Sequence, residues 1–182
     1  LDAPPNDLGP DDAGLDAPIE HLAASLGAHI EAACADAGVA RVDVVGFSMG
    51  ALVTRVYIQQ HGGRDRVRRF VSVSGPHHGT RTAWVLPLAG VRQMRPGSAL
   101  LRALAADPEG LGGVEVHCLY TPFDAMVQPA ETAILPGSQS VLRVPVALHR
   151  WMITDARRRR ARRRAGSRRR GARRGARGGR AR

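Results

Sequence analysis

The chain has 182 residues, enough for one domain with a real core, and a formal net charge of +11. All 27 basic residues are arginine and 15 of them fall between Arg157 and Arg182, so residues 1–156 keep 12 arginines against all 16 acids, a net of −4. The body is thus a mildly acidic globular protein with a basic tail, and the whole-chain charge says nothing about the body's partners. No run approaches the roughly 20 apolar residues of a membrane span. No metal-ligand spacing is visible, and no cofactor is expected. The two cysteines, Cys34 and Cys118, fall in apparent helix and strand segments and read as reduced, buried thiols.

Residues 1–15 are rich in Pro, Asp and Gly and read as loop. The start, Leu1 to Asp7, is acidic, is not a signal peptide, and reads as a chain beginning mid-sequence. Asp16 is a suitable N-cap, with Pro18 and Glu20 in the first turn. Ile19, Leu22, Leu26, Ile30, Ala33 and Ala37 recur at helical spacing and Gly38 follows, which predicts a helix over 17–37. Residues 41–47 read as a buried strand, and 49–61 as a helix closed by Gly62-Gly63. A second strand covers 69–74. Residues 82–96 stay ambiguous between helix and loop, because Pro87 and Pro96 interrupt them. Ser98 caps a short helix to about Ala106. Strands follow at 114–120 and 141–146, with Pro145 suggesting an end or an edge position. Strands separated by helices imply a mostly parallel α/β sheet. Ligand sites in such sheets lie beyond the carboxyl ends of the strands.

The pentapeptide Gly46-Phe47-Ser48-Met49-Gly50 sits between the first strand and the second helix. An abrupt strand-to-helix reversal forces the apex residue towards positive φ, and small neighbours on either side avoid a clash. A serine there stands clear of the backbone, and the Met49 amide at the helix start is one donor to a developing oxyanion. The bland reading is a glycine-rich loop. Ser48, His77-His78, Asp124 and His149 follow successive strands and fall at one sheet edge. Ser48, Asp124 and His149 stand in the order nucleophile, acid, histidine. In that reading His149 takes the Ser48 proton and Asp124 orients the imidazole. Asp124 is preferred to Asp107 and Asp155. His117, inside a strand, reads as a core residue, and His61 as a helix-end residue. For Asp124 a plain turn residue is the alternative, and for His149 a surface or core histidine.

These segments resemble the bacterial triacylglycerol lipase and esterase group of the α/β-hydrolase superfamily. Phe47 stands where that group commonly has histidine, and Ala51 where a further glycine is common. Ser74-Gly75-Pro76-His77-His78-Gly79-Thr80 resembles its Gly-x-Pro-His-x-Gly-Thr segment. Arg95 to Leu101 resembles its Pro-Gly-Ser helix start, and Thr121 to Val127 its acid loop. The resemblance runs from about residue 7 to 155 and implies a carboxylic ester hydrolase with a Ser48, His149, Asp124 triad and a small-molecule or lipid ester as substrate. Trp84, Val85, Leu86, Leu88 and Val91 form either an acyl-binding wall or ordinary core. A non-catalytic hydrolase remnant and an acyltransferase with the same triad are the alternatives.

The resemblance also implies upstream strands and a loop that supplies a second oxyanion donor, which this sequence does not contain. Losing one such donor costs about 10²–10³ in rate. The chain is therefore expected to be a fragment, weakly stable and poorly active alone, with an open apolar edge on the 41–47 strand. The tail over 157–182 holds only Arg, Ala, Gly and Ser and is expected to be disordered. It lacks aromatics for base stacking, and it reads as a solvated tail or an out-of-frame stretch rather than a nucleic-acid arm.

Overall fold

The computed structural model describes residues 14–145. His149 and the arginine-rich tail lie outside the described residues, as do residues 1–13, which the sequence reads as loop.

Four strands, β1 (Val42–Phe47), β2 (Val67–Val73), β3 (Glu115–Tyr120) and β4 (Ser140–Arg143), form one sheet in the order β1-β2-β3-β4. Every neighbouring pair is parallel. This is the α/β arrangement expected, with each strand leaving its carboxyl end at the same edge. The β1 to β2 crossover runs through α2 (Met49–Gln60), and the β2 to β3 crossover through α3 (Ala89–Gln93) and α4 (Ala99–Ala106). Between β3 and β4 only a 3-10 turn, Ala130–Ala133, stands where an α-helix would be usual.

The alternation of a parallel sheet sorts its two faces. Phe70, Ser72, Val116 and Cys118 point to one face and are buried, Phe70 and Cys118 completely. Helix α1 (Ile19–Ala37) and α2 cover this face. Eight successive α2 residues, Ala51 to Ile58, are buried, so α2 is the central rod of the core. Buried chains from α1 (Ile19, Ala23, Ile30) and α4 (Leu100, Leu101, Leu104) complete the same cluster. On the other face Asp43, Val45, Arg69, His117 and Leu142 are half-buried or exposed. Among the described residues β1 pairs only with β2, and Val45 on its uncovered face is 69% exposed.

Several local expectations change. Asp16 does not cap α1. It closes a 3-10 turn, Gly14–Asp16, and the N-cap position falls to Pro18. Gly38 does close the helix, in the left-handed conformation at φ 63°. Ser98 caps α4 by accepting the Leu101 amide at 3.2 Å. The ambiguous stretch resolves into a 3-10 turn, Arg81–Trp84, and the single helical turn of α3. β4 is exposed throughout and ends before Pro145. His117 is not a core residue. It lies on the uncovered face, with Nε2 2.8 Å from Glu115 and Nδ1 2.7 Å from Ser140. Both cysteines are buried and free.

Candidate active site

β1 turns into α2 at Ser48, whose φ of 53° and ψ of −126° lie outside the ordinary regions for a side-chain-bearing residue. Such strain is worth roughly 1–3 kcal/mol and persists only where surroundings impose it. Here the Ser48 amide donates to the Val73 carbonyl at 2.9 Å, and the Ser48 carbonyl accepts from Ala51 at 3.0 Å. A Cβ on Gly46 would stand 2.6 Å from the Ala51 Cα, so that glycine is obligatory. Gly50 is different from expectation: nothing lies within 4 Å of where its Cβ would be, and crowding does not explain it. Met49 opens α2, where the first amides have no partner inside the helix. Its sulfur lies 3.4 Å from where a Cβ on Gly90 would sit, so α3 leans against the turn.

The loop after β2 is the second wall. Gly75 packs so closely on α2 that a Cβ there would sit 2.6 Å from that of Ala51. His77 is buried, with Nε2 2.7 Å from the Ser72 hydroxyl and its ring edge-on to Phe70. Burial, then the Arg55 and His78 charges, pushes its pKa well below the usual histidine value, so the ring is neutral. The structure puts His77 in the core behind the turn. His78 is exposed, with Nε2 3.1 Å from the Ile134 carbonyl.

Two features of this wall were not legible beforehand. Arg55 is 6% exposed and donates to the His77 carbonyl at 3.0 Å and the Leu104 carbonyl at 3.1 Å, tying α2 to the loop and to α4. Burial lowers its pKa to about 10. Its signal was a cation inside the apolar run from Ala51 to Ile58. Ser74 is the other non-glycine residue with positive φ among the described residues, at 47°, and it is fully inside.

Asp124 follows β3 and is 1% exposed. Its Oδ1 accepts the Met126 amide at 2.8 Å and the Val127 amide at 3.0 Å. Its own amide donates to Thr121 at 3.2 Å, and the Gln128 side chain donates to its carbonyl. It sits in a tight turn and its carboxylate is buried. Asp107 is instead half-exposed and 3.3 Å from Arg64. Ser48 and Asp124 thus occupy the same sheet edge, with β2 between their strands. Leu88 is half-buried on the core and Val91 belongs to it, whereas Trp84 and Leu86 are exposed. No cluster of potential metal ligands occurs among the described residues.

The palmitoyl protein thioesterase family model matches residues 16–107, just over half of the chain. The chain belongs to this family. The matched span of this thioesterase-family chain runs from α1 to the end of α4 and includes Ser48 and His77, while Asp124 lies beyond it. The mature form of Bacillus licheniformis lipase BlEst2 superposes with a TM-score of 0.62 at 15% identity, over 72% of this chain and 68% of that one. Aspergillus fumigatus lipase B superposes at 0.60 with 23% identity, over 69% of this chain and 34% of that one. The propeptide form of BlEst2 gives 0.61 at 16% identity, and this chain spans 36% of its length. These likenesses show a partial α/β-hydrolase fold. A comparison with the curated proteins gave no match.

Proposed function

We propose that the chain hydrolyses acyl esters or thioesters through an acyl-enzyme on Ser48. The observation that carries this reading is the strained Ser48 at the start of α2, on the same edge as a buried, amide-held Asp124. Family membership supports the hydrolase class.

In this reading the Ser48 oxygen attacks the acyl carbonyl while the His149 imidazole takes its proton. The carbonyl oxygen becomes an oxyanion and accepts from the Met49 amide. Collapse expels the alcohol or thiol, which leaves with that proton. Water then attacks the acyl-serine, again giving a proton to the imidazole, and the carboxylic acid departs as Ser48 is restored. Asp124 holds the imidazole in its working tautomer. The neutral, buried His77 is a poor rival base, because its ring is engaged with Ser72 away from solvent. Trp84, Leu86 and Leu88 are proposed as the apolar contacts of the acyl chain. A triacylglycerol, as the lipase resemblance implies, and a long-chain acyl thioester, as the family name suggests, are the two substrates to compare.

Turnover of a p-nitrophenyl acyl ester and of a palmitoyl thioester tests the proposal. The expected result is turnover that falls by about 10⁴-fold or more in Ser48→Ala. Equal rates in both proteins would remove Ser48 as nucleophile.

A further inference from the structure

Trp84 and Leu86, proposed above as acyl contacts, belong to a wider exposed apolar surface on the segment that follows the His77 loop. Trp84, Val85 and Leu86 are 63%, 78% and 45% exposed, and Phe123 and Met126 on the Asp124 loop are 61% and 55% exposed. The two stretches are stitched together. The Thr80 hydroxyl donates to the Met126 carbonyl at 2.9 Å, and the Arg81 amide to the Gln128 carbonyl at 2.9 Å. Contiguous exposed apolar side chains on a soluble surface mark a binding face.

Charge says what kind of partner fits. From Arg66 to Ala106 the sequence holds seven arginines and no Asp or Glu. Arg66, Arg68 and Arg69 are neutralised by Glu31, Asp43 and Glu115. Among the described residues no carboxylate forms an ion pair with Arg81, Arg92, Arg95 or Arg102. Arg95 lies 4.4 Å from the Trp84 ring centroid and donates to the Ala83 carbonyl at 3.1 Å. Near α3, Glu20 accepts from Gln93 at 2.6 Å, and Asp16 lies exposed on the 3-10 turn that packs against this helix. An apolar tip with a stacked tryptophan-arginine pair and unneutralised arginines around it matches a membrane interface: aromatic rings sit at headgroup depth, and guanidinium groups meet lipid phosphates.

We propose that this face docks the protein on a membrane carrying anionic lipid. Trp84, Val85 and Leu86 enter the interface, and Arg81, Arg92 and Arg95 meet the headgroups. Phe123 and Met126 follow, so docking turns the carboxyl edge of the sheet, with Ser48 and Asp124, towards the bilayer.

The arginine-rich tail would adhere to anionic vesicles by charge alone, so the test must read the face itself. The chain has two tryptophans, and in the full chain carrying Trp151→Phe the remaining one is Trp84. Its emission is followed on vesicles of phosphatidylcholine, with and without phosphatidylglycerol, and on the same vesicles with acyl chains brominated to quench tryptophan. The expected result is a blue shift and quenching on the phosphatidylglycerol vesicles, reversed by high salt and lost in a Val85→Ser, Leu86→Ser, Arg95→Gln variant. The proposal is overturned if vesicles bind with Trp84 emission unchanged, which would assign binding to the tail. It is overturned equally by the same shift on pure phosphatidylcholine, or by no binding. Turnover is not read, so this outcome is independent of whether Ser48 is a nucleophile.

Discussion

Two aspartates on one sheet are held in opposite ways. Asp43, near the amino end of β1, is 35% exposed and gripped by Arg68 through two contacts of 2.9 Å, with Arg69 at 3.4 Å. The Arg68 hydrogen bond holds its carboxyl below the usual range; burial opposes this, and the Arg68 and Arg69 charges assist it. Asp124, beyond the carboxyl end of β3, is buried and its Oδ1 is fixed by two backbone amides. An arginine pair cancels a carboxylate's charge. Backbone amides fix a carboxylate's direction. The amino half of the sheet therefore uses its acids as solvent-screened ties, from Asp43 through Arg69 to Glu115. At the carboxyl edge, in the proposed reading, Asp124 orients an imidazole.

The sharpest way to break this contrast is to neutralise each aspartate in turn. Asp124→Asn should lower kcat on a soluble ester by about 10⁴-fold while the protein stays folded, because the amide no longer favours the working imidazole tautomer. A variant that folds and keeps its rate would show that Asp124 is only a turn residue. Next in size is the glycine pair around Ser48. Gly46→Ala should cost about 3 kcal/mol in urea unfolding or prevent folding, since its Cβ would meet the Ala51 backbone at 2.6 Å. Gly50→Ala meets open space and should be neutral or stabilising by up to about 1 kcal/mol. Equal losses at both positions would contradict the asymmetric turn.

The buried His77 ring resists protonation when folded, whereas the unfolded chain takes the proton from about pH 6.5 downward. The unfolded state then binds more protons, so stability falls as pH drops below about 6.5, by up to about 1.4 kcal/mol per unit from this group. Urea midpoints at pH 7 and pH 5.5 check this, and His77→Gln should flatten the dependence. An unchanged slope would mean that the ring takes up its proton as readily in the fold as in the unfolded chain. The smallest effect belongs to the amino half. Asp43→Asn should change stability by under about 1 kcal/mol and leave kcat unaltered, because exposed pairs are screened by solvent.

The same contrast explains what the sequence disclosed. The elbow at Ser48 was legible because strand residues, glycine and a helix start are all local signals. The capping role of Ser98 was legible for the same reason. His117 was misjudged because strand membership does not tell which face a residue takes, and here the alternation sends it to the uncovered face beside Glu115 and Ser140. Asp16 lost the N-cap because the preceding chain closes its own 3-10 turn and Pro18 starts the helix. The stretch over 82–96 was opaque because its order comes from distant partners, such as the Thr80 amide on Met94 and the Arg81 amide on Gln128. Arg55 was hidden for a related reason: its partners are carbonyls 22 and 49 residues away. The proposed base, His149, lies outside the described residues, so the triad rests on the Ser48 and Asp124 geometry.

The most direct measurement is covalent. The full chain is treated with a fluorophosphonate, digested with trypsin and mapped by mass. The account predicts a single phosphonyl adduct on Ser48, in the peptide spanning 42–55, with labelling slowed strongly in Asp124→Asn. A folded protein that takes no label, or takes it on another serine such as Ser74, would contradict it.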